Sequence, residues 1–320
     1  MKKLFYIPIV ALLFSSCELN ELPKAGATEE DIFGSESGLK NYSNSFYRNI
    51  TSGSDAYKGD AMADYSAVNS LNDFMVGGAY SAEISSGWSW TTLRNINQLI
   101  AKCNSPKLSD AIKNNYIGLA RFFRAWFYYE KVVRFGDVPW VDHPLAVDET
   151  DILKAPRDSR EVVMKHIMED LDFAYANITN TAGDGSTVNK WTALGLKTRI
   201  ALFEGTFRKY QKLNLATQPE VFFQMAVDAG KILMENGPYG LNISADPKTS
   251  QRQLFTSNTP VTKEVMLAVT FSKDLALLND ANWWWTSATY GPRLSLVRPF
   301  INSFLNVDGT PYTDRPNFQT

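Results

Sequence analysis

The strongest constraint on this chain lies between residues 109 and 134. Ile112, Tyr116, Leu119, Phe123, Trp126 and Tyr129 recur at three- and four-residue steps, the period of a helix that buries one stripe. Ile117, Phe122, Phe127, Val132 and Val133 then widen that stripe into an arc. An apolar arc this broad cannot be covered from one direction, so the helix must be packed on two sides. Asn114, Arg121, Arg124 and Lys131 share what remains, and this basic stripe is expected to pair with acids inside the fold rather than to form a binding patch. Phe135-Gly136 ends the helix, because glycine tolerates the left-handed conformation of a helix C-terminus. Asp137-Val138-Pro139-Trp140 leaves it as an extended segment.

Similar patterns follow. A second long helix is predicted from Asp158 or Ser159, with Val163, Ile167, Leu171, Ala174 and Ile178 on its buried face. A third begins at Asn189. One face carries Trp191, Leu194, Thr198, Ala201 and Gly205, small enough in places for close approach; another carries Leu196, Ile200, Phe203, Phe207 and Tyr210. Lys190, Lys197, Glu204 and Gln211, seven apart, read as its wet stripe. A fourth opens on a capping box, Thr217-Gln-Pro-Glu220, buries Phe222, Ala226, Ala229 and Leu233, and stops at Asn236-Gly237-Pro238. Shorter helical patterns precede these, one from about Glu29 through Leu39, Tyr42, Phe46 and Ile50, and one through Leu93, Ile96 and Ile100. Residues 51–87 read as a long ordered loop with short helical turns. Successive two-faced helices predict an all-α array of stacked helical hairpins. It is loosely similar to tetratricopeptide arrays, without their strict 34-residue signature. Little β structure is expected; one strand, Val265 to Phe271, is predicted among the loops after Pro238. The sequence ends at Arg315–Thr320 without a closing helix, and we expect an N-terminal portion of something longer.

Composition removes several function classes. Lys+Arg is 32 against Asp+Glu 34 in 320 residues, so no basic surplus exists to hold nucleic acid. Two Cys and two His cannot build a disulfide framework or a His/Cys metal cluster, and no cofactor is implied. Cys103 reads as a small buried hydrophobe. There is no Gly-x-Ser-x-Gly elbow, phosphate-binding loop or His-Glu-x-x-His helix. A glycoside hydrolase with paired carboxylates across an aromatic cleft stays open as an alternative, as does a structural helical-repeat scaffold.

The first sixteen residues resemble a bacterial lipoprotein signal. Lys2 and Lys3 precede an apolar run from Leu4 to Phe14, then Ser15-Ser16 and Cys17. The run is too short to span a bilayer. Phe14 stands where such signals prefer Leu. The expected mature chain therefore starts at a lipidated, palmitate-type Cys17, followed by a polar tether to residue 28 and a helical body over 29–320. More than one acyl chain suffices to hold it on a membrane without a spanning segment.

The unusual number is eight Trp, three of them consecutive: Trp283-Trp284-Trp285. They follow the polar stretch Leu278-Asn-Asp-Ala-Asn282 and precede Tyr290-Gly-Pro-Arg293, in a pattern with no amphipathic period. Indole faces suit the C–H faces of sugars, while Asn, Asp and Arg pair with hydroxyls. Adjacent residues cannot all face one way, so one or two of the three are expected at a ligand; anchoring of a loop or a partner seat are the alternatives. Trp88 and Trp90, two apart, would share one side of an extended segment, with core packing as the alternative.

Several segments resemble the SusD/RagB family of outer-membrane nutrient-binding lipoproteins. They are the lipoprotein start with Glu18-Leu-Asn-Glu-Leu-Pro23 and Thr28-Glu-Glu-Asp-Ile-Phe33; Arg121-Phe-Phe-Arg-Ala-Trp-Phe-Tyr-Tyr129 with Arg134-Phe-Gly-Asp-Val-Pro139; Ala155-Pro-Arg157; Lys190-Trp-Thr-Ala-Leu-Gly-Leu-Lys-Thr-Arg-Ile-Ala-Leu202; and Val307-Asp-Gly-Thr-Pro311. The resemblance implies a right-handed tetratricopeptide-like array with a long loop-rich ligand face and no catalysis. It implies an oligosaccharide or peptide ligand, a place at the cell surface, and a partner, a TonB-dependent outer-membrane transporter of the SusC type. By family position it places Trp88 near the ligand face, with Tyr65, Asn69, Asn72 and Asp73 in the preceding loop. The candidate ligand-binding set is thus Trp88, Trp283, Trp284, Trp285, Tyr290, Arg293, Tyr65 and Asn72.

Overall fold

Thr28 opens the folded body. Its hydroxyl accepts from the Asp31 N–H at 3.2 Å, and the Asp31 carboxylate accepts from the Thr28 N–H at 2.8 Å, a closed capping box. The computed structural model describes residues 27–50, 57–59, 63–70, 76, 81, 86–181, 183–244, 246–289 and 291–314. The signal, Cys17, the tether up to residue 26, Asn72, Asp73, Tyr290 and 315–320 lie outside the described residues.

The predicted N-terminal helix is two helices and a turn, α1 (Glu29–Phe33), α2 (Glu36–Asn44) and a 3₁₀ segment (Ser45–Asn49), broken at Gly34 where Ser35 caps the second. Then come α3 (Thr91–Lys102), α4 (Asp110–Phe135), a short α5 (Thr150–Lys154), α6 (Arg160–Asn177), α7 (Lys190–Tyr210) and α8 (Pro219–Asn236). Beyond Pro238 the chain is mostly loop, interrupted by α9 (Pro247–Thr256), α10 (Ala281–Thr286) and α11 (Arg298–Asn302). The fold is the all-α, tetratricopeptide-like array expected, with little β structure. Val265–Phe271 is not a strand; Ala268 donates to the Gly185 carbonyl at 2.6 Å and ties that stretch to the α6–α7 loop.

The wide arc of α4 has the two-sided cover it requires. It packs on α6 along one side and on α3 and α2 along the other. Phe122, Ala125 and Tyr128 are wholly buried, and each such aromatic stabilises by about 1.5–3 kcal/mol through burial alone. α6 packs on α7, and α7 on α8. The small face of α7 allows this last approach: a Cβ at Gly205 would stand 2.7 Å from the Phe223 ring and 3.0 Å from the Pro219 carbonyl oxygen.

Two buried charge assemblies cross-link the array. In the first, Arg124 of α4 donates two parallel bonds to Asp170 of α6, at 2.7 and 2.8 Å. It also reaches the Asn97 side chain on α3 and the Asp142 carbonyl. Arg121 flanks the same carboxylate and stacks on Phe173, 4.1 Å from its ring centroid. In the second, Glu204 of α7 accepts from Arg160 of α6 at 2.6 Å and from Arg208, one turn on, at 2.6 Å. Glu204 is therefore fully buried, not part of a wet stripe, because two guanidinium groups enclose it. Arg208 donates onward to Glu161 at 2.7 Å and to the Thr217 carbonyl at 2.8 Å. Thr217 gives its hydroxyl to Glu161 instead of capping α8, whose N-cap is Gln218; the predicted capping box does not form. The basic stripe of α4 behaves as expected at Arg124 and Arg121. Lys131 instead donates to the Gly87 carbonyl.

The segment after α4 is fixed by the same logic. Asp137 accepts from the Arg160 N–H and Asp158 from the Trp140 N–H, both at 2.7 Å. Tyr128 accepts from the Val141 N–H at 2.7 Å. Trp140 stacks on His166 with centroids 4.5 Å apart.

Glu204→Gln leaves two buried guanidinium groups facing a neutral amide, and we expect it to cost about 3–5 kcal/mol in urea unfolding. Lys231→Ala, which removes only an exposed pair with Glu235, is expected to cost under about 0.5 kcal/mol. Cys103 is 3% exposed, and burial pushes its thiol up to about 11. The native chain is therefore expected to resist iodoacetamide at pH 8, with labelling following unfolding.

Candidate functional site

The three consecutive tryptophans form a helix of their own rather than a loop. α10 is held by the Asp280 carbonyl accepting from the Trp284 N–H at 2.8 Å and the Trp283 carbonyl accepting from Ser287 at 2.9 Å. Successive side chains on a helix diverge by about 100°, so the indoles fan out. Trp283 is 49% exposed and Trp285 38%. Trp284 is half-buried, and its Nε1 finds no partner among the described residues. The helix thus offers two faces outward and uses the middle ring as its footing.

That footing rests on residues 57–59 and 63–70. The Lys58 ammonium lies 5.1 Å from the Trp284 ring centroid and 3.2 Å from Asp280. Ser66–Ala67 (β1) pairs antiparallel with Ser295–Leu296 (β2). Asn69 donates to the Pro292 carbonyl, and Val297 to the Tyr65 carbonyl, each at 3.0 Å. The Tyr65 ring packs 5.3 Å from Phe300. Gly291 sits under the end of α10, where a Cβ would be 2.5 Å from the Ser287 oxygen and 2.7 Å from the Trp284 oxygen. Arg293 takes a left-handed φ of 51°, and its Nε donates to the Ala288 carbonyl at 3.0 Å. Part of the Arg293 guanidinium is therefore spent on the Ala288 carbonyl.

Tyr65, the three tryptophans and Arg293 are thus gathered into one loop assembly. Asn72 and Tyr290 belong to the same stretches of sequence but lie outside the described residues. Lys58 gave no signal in the sequence; only its position across from Asp280 reveals it.

Trp88 is carried elsewhere, onto the C-terminal turn of α4. Its ring meets Phe135 edge-on at 4.9 Å and Trp90 at 5.1 Å, so the two indoles do share a side. Trp90 goes inward against Phe127 and Tyr128. Trp88 stays 42% exposed, with the Arg157 guanidinium 4.8 Å from its ring.

Other titratable groups are occupied with holding the frame. His143 donates between Asp142 and Glu149, at 2.8 and 2.9 Å, and those bonds, the one to Asp142 foremost, hold its imidazole above the ordinary range. A cleft of about 470 Å³ beside α1 is lined by Glu29, Glu30, Lys102 and Lys107 and contains none of the candidate residues. Among the described residues no group of three His, Cys, Asp or Glu is placed to hold a metal ion. Among the described residues, no helix is long and apolar enough to cross a membrane.

Comparison with known proteins agrees with this architecture. The family model SusD-like_2, described as starch-binding associating with outer membrane, matches residues 37–218, more than half of the chain. A SusD-like protein P2 of Formosa agariphila is 26% identical over 141 residues, covering 43% of this chain and 28% of that protein. A SusD-like protein of Bacteroides fragilis superposes with a TM-score of 0.64 at 20% identity, over 91% of this chain and 57% of that one. A SusD-like carbohydrate binding protein of the same species gives 0.64 at 18% identity, over 90% and 57%. The chain thus spans 28% of the curated relative it matches and a little over half of these solved structures. On the family match, and with the helical frame that accompanies it, the chain belongs to the SusD-like family.

Proposed function

We propose that this chain is a non-catalytic binding protein, lipid-anchored at the outer membrane and exposed at the cell surface. It captures an oligosaccharide and delivers it to a TonB-dependent transporter of the SusC type. The observation that carries this reading is the pair of outward indoles, Trp283 and Trp285, on a helix whose middle ring is tied down by Lys58 and Asp280. Rigid aromatic faces bury the C–H surface of a pyranose at low entropic cost. Tyr65 and Arg293 belong to the same assembly, and Tyr290 and Asn72 are assigned to it by sequence. Trp88 offers a second face. Residues 1–16 are the signal, Cys17 the lipidated residue, 17–28 the tether and 29–320 the binding body. The family description and the carbohydrate-binding relative of B. fragilis support the same direction.

Trp283→Ala and Trp285→Ala are each expected to weaken oligosaccharide binding by about 1–3 kcal/mol in calorimetric titration, with the melting temperature unchanged. Trp284→Ala is expected to lower the melting temperature, since it removes the footing. Full affinity in both outer variants would remove these rings from the site. Cys17→Ala is expected to abolish incorporation of labelled palmitate and to release the chain from the membrane fraction.

A further inference from the structure

Cations flank the second indole surface. Lys131 donates to the Gly87 carbonyl and lies 4.9 Å from the Phe127 ring. The Arg134 guanidinium lies 5.6 Å from the Phe135 ring, and the Arg157 guanidinium 4.8 Å from Trp88. Gly87 adopts a φ of 95°, and a Cβ there would stand 3.3 Å from Arg134 Nε, so the glycine lets the guanidinium lie close along the backbone beside Trp88. Arg134, Arg157 and the Trp88 ring are all exposed.

Among the described residues, none of these three cations pairs with a carboxylate. The carboxylates nearest in sequence are engaged elsewhere. Asp137 and Asp158 accept from backbone N–H groups, and Glu130 accepts from the Trp126 indole at 2.8 Å. The buried arginines of the array, 124, 160 and 208, are by contrast all paired with acids. A neutral sugar packed beside Trp88 makes no use of these charges; a sugar with a carboxylate or sulfate ester meets guanidinium groups, whose planar N–H forks fit such oxyanions.

We propose that Trp88, with Arg157 over its ring and Arg134 beside the neighbouring Gly87, is a subsite for an anionic sugar residue. The inference rests on the oligosaccharide-binding reading and names the ligand class of one of its surfaces. The test is a glycan array of neutral and acidic oligosaccharides, followed by titration with an oligogalacturonate, its methyl-esterified form, a sulfated galactan oligomer and its desulfated form. At least one anionic oligomer is expected to bind about tenfold tighter than its neutral counterpart. The charged member preferred tells carboxylate from sulfate. The preference is expected to shrink as salt rises from about 50 to about 500 mM. The double variant Arg134→Gln/Arg157→Gln is expected to lose the preference, with its melting temperature unchanged. Equal affinity for charged and neutral partners, or an unchanged preference in the double variant, overturns the inference and leaves the oligosaccharide reading standing. Binding to nothing on the array overturns both.

Discussion

Everything in this molecule leans on a carboxylate that water never reaches. Glu204 is enclosed by Arg160 and Arg208, with both guanidinium groups at 2.6 Å. A lone buried anion would be ruinous; two cations and a second acid, Glu161, make the assembly neutral. The same guanidinium groups lie over Phe207 and Phe222 at 4.3 and 4.4 Å, which joins charge pairing to ring packing. Arg160 also donates to the Val132 carbonyl and Arg208 to the Thr217 carbonyl. One cluster therefore touches α4, α6, α7 and the entry to α8. Arg124 and Asp170 repeat the device one helix pair earlier. Such assemblies need near-perfect geometry, and this fixes how the hairpins stack.

A frame of this kind lets the loops be irregular without being loose. Residues 57–59 and 63–70 are far in sequence from 280–289 and 291–300, yet a two-residue ladder, the Lys58–Asp280 pair and the Tyr65–Phe300 contact bind them to each other. Trp283 and Trp285 are then presented by a six-residue helix whose own ring, Trp284, is its anchor. Rings ordered before any ligand arrives lose little entropy when one does. Trp88 shows the same economy at the end of α4, where Phe135 and Trp90 meet its ring edge-on and leave it 42% exposed.

The long helices were legible because their periods are unbroken: Ser109, Ser159 and Asn189 cap where the patterns begin. The wide arc of α4 announced its two neighbours. Glu204 misled because seven-residue spacing from Lys190 and Lys197 looks wet in one dimension, while its partner Arg160 comes from another helix. Thr217 misled for the same reason, since Glu161 outcompetes the local N–H groups for its hydroxyl. Val265–Phe271 has strand composition but no strand beside it among the described residues, and only pairing makes a strand. The tryptophan trio could be recognised as surface by its polar surroundings. That the middle ring turns inward follows from the helical step of α10, which six residues of sequence do not reveal.

The most direct test of the account is fluorine NMR of the chain labelled with 5-fluorotryptophan and titrated with a bound oligosaccharide. The account predicts shifts in the resonances assigned to Trp283 and Trp285, with Trp126, Trp140 and Trp191, which sit in the helical frame, unmoved. Shifts confined to those frame tryptophans, with Trp283 and Trp285 silent at saturation, would contradict it.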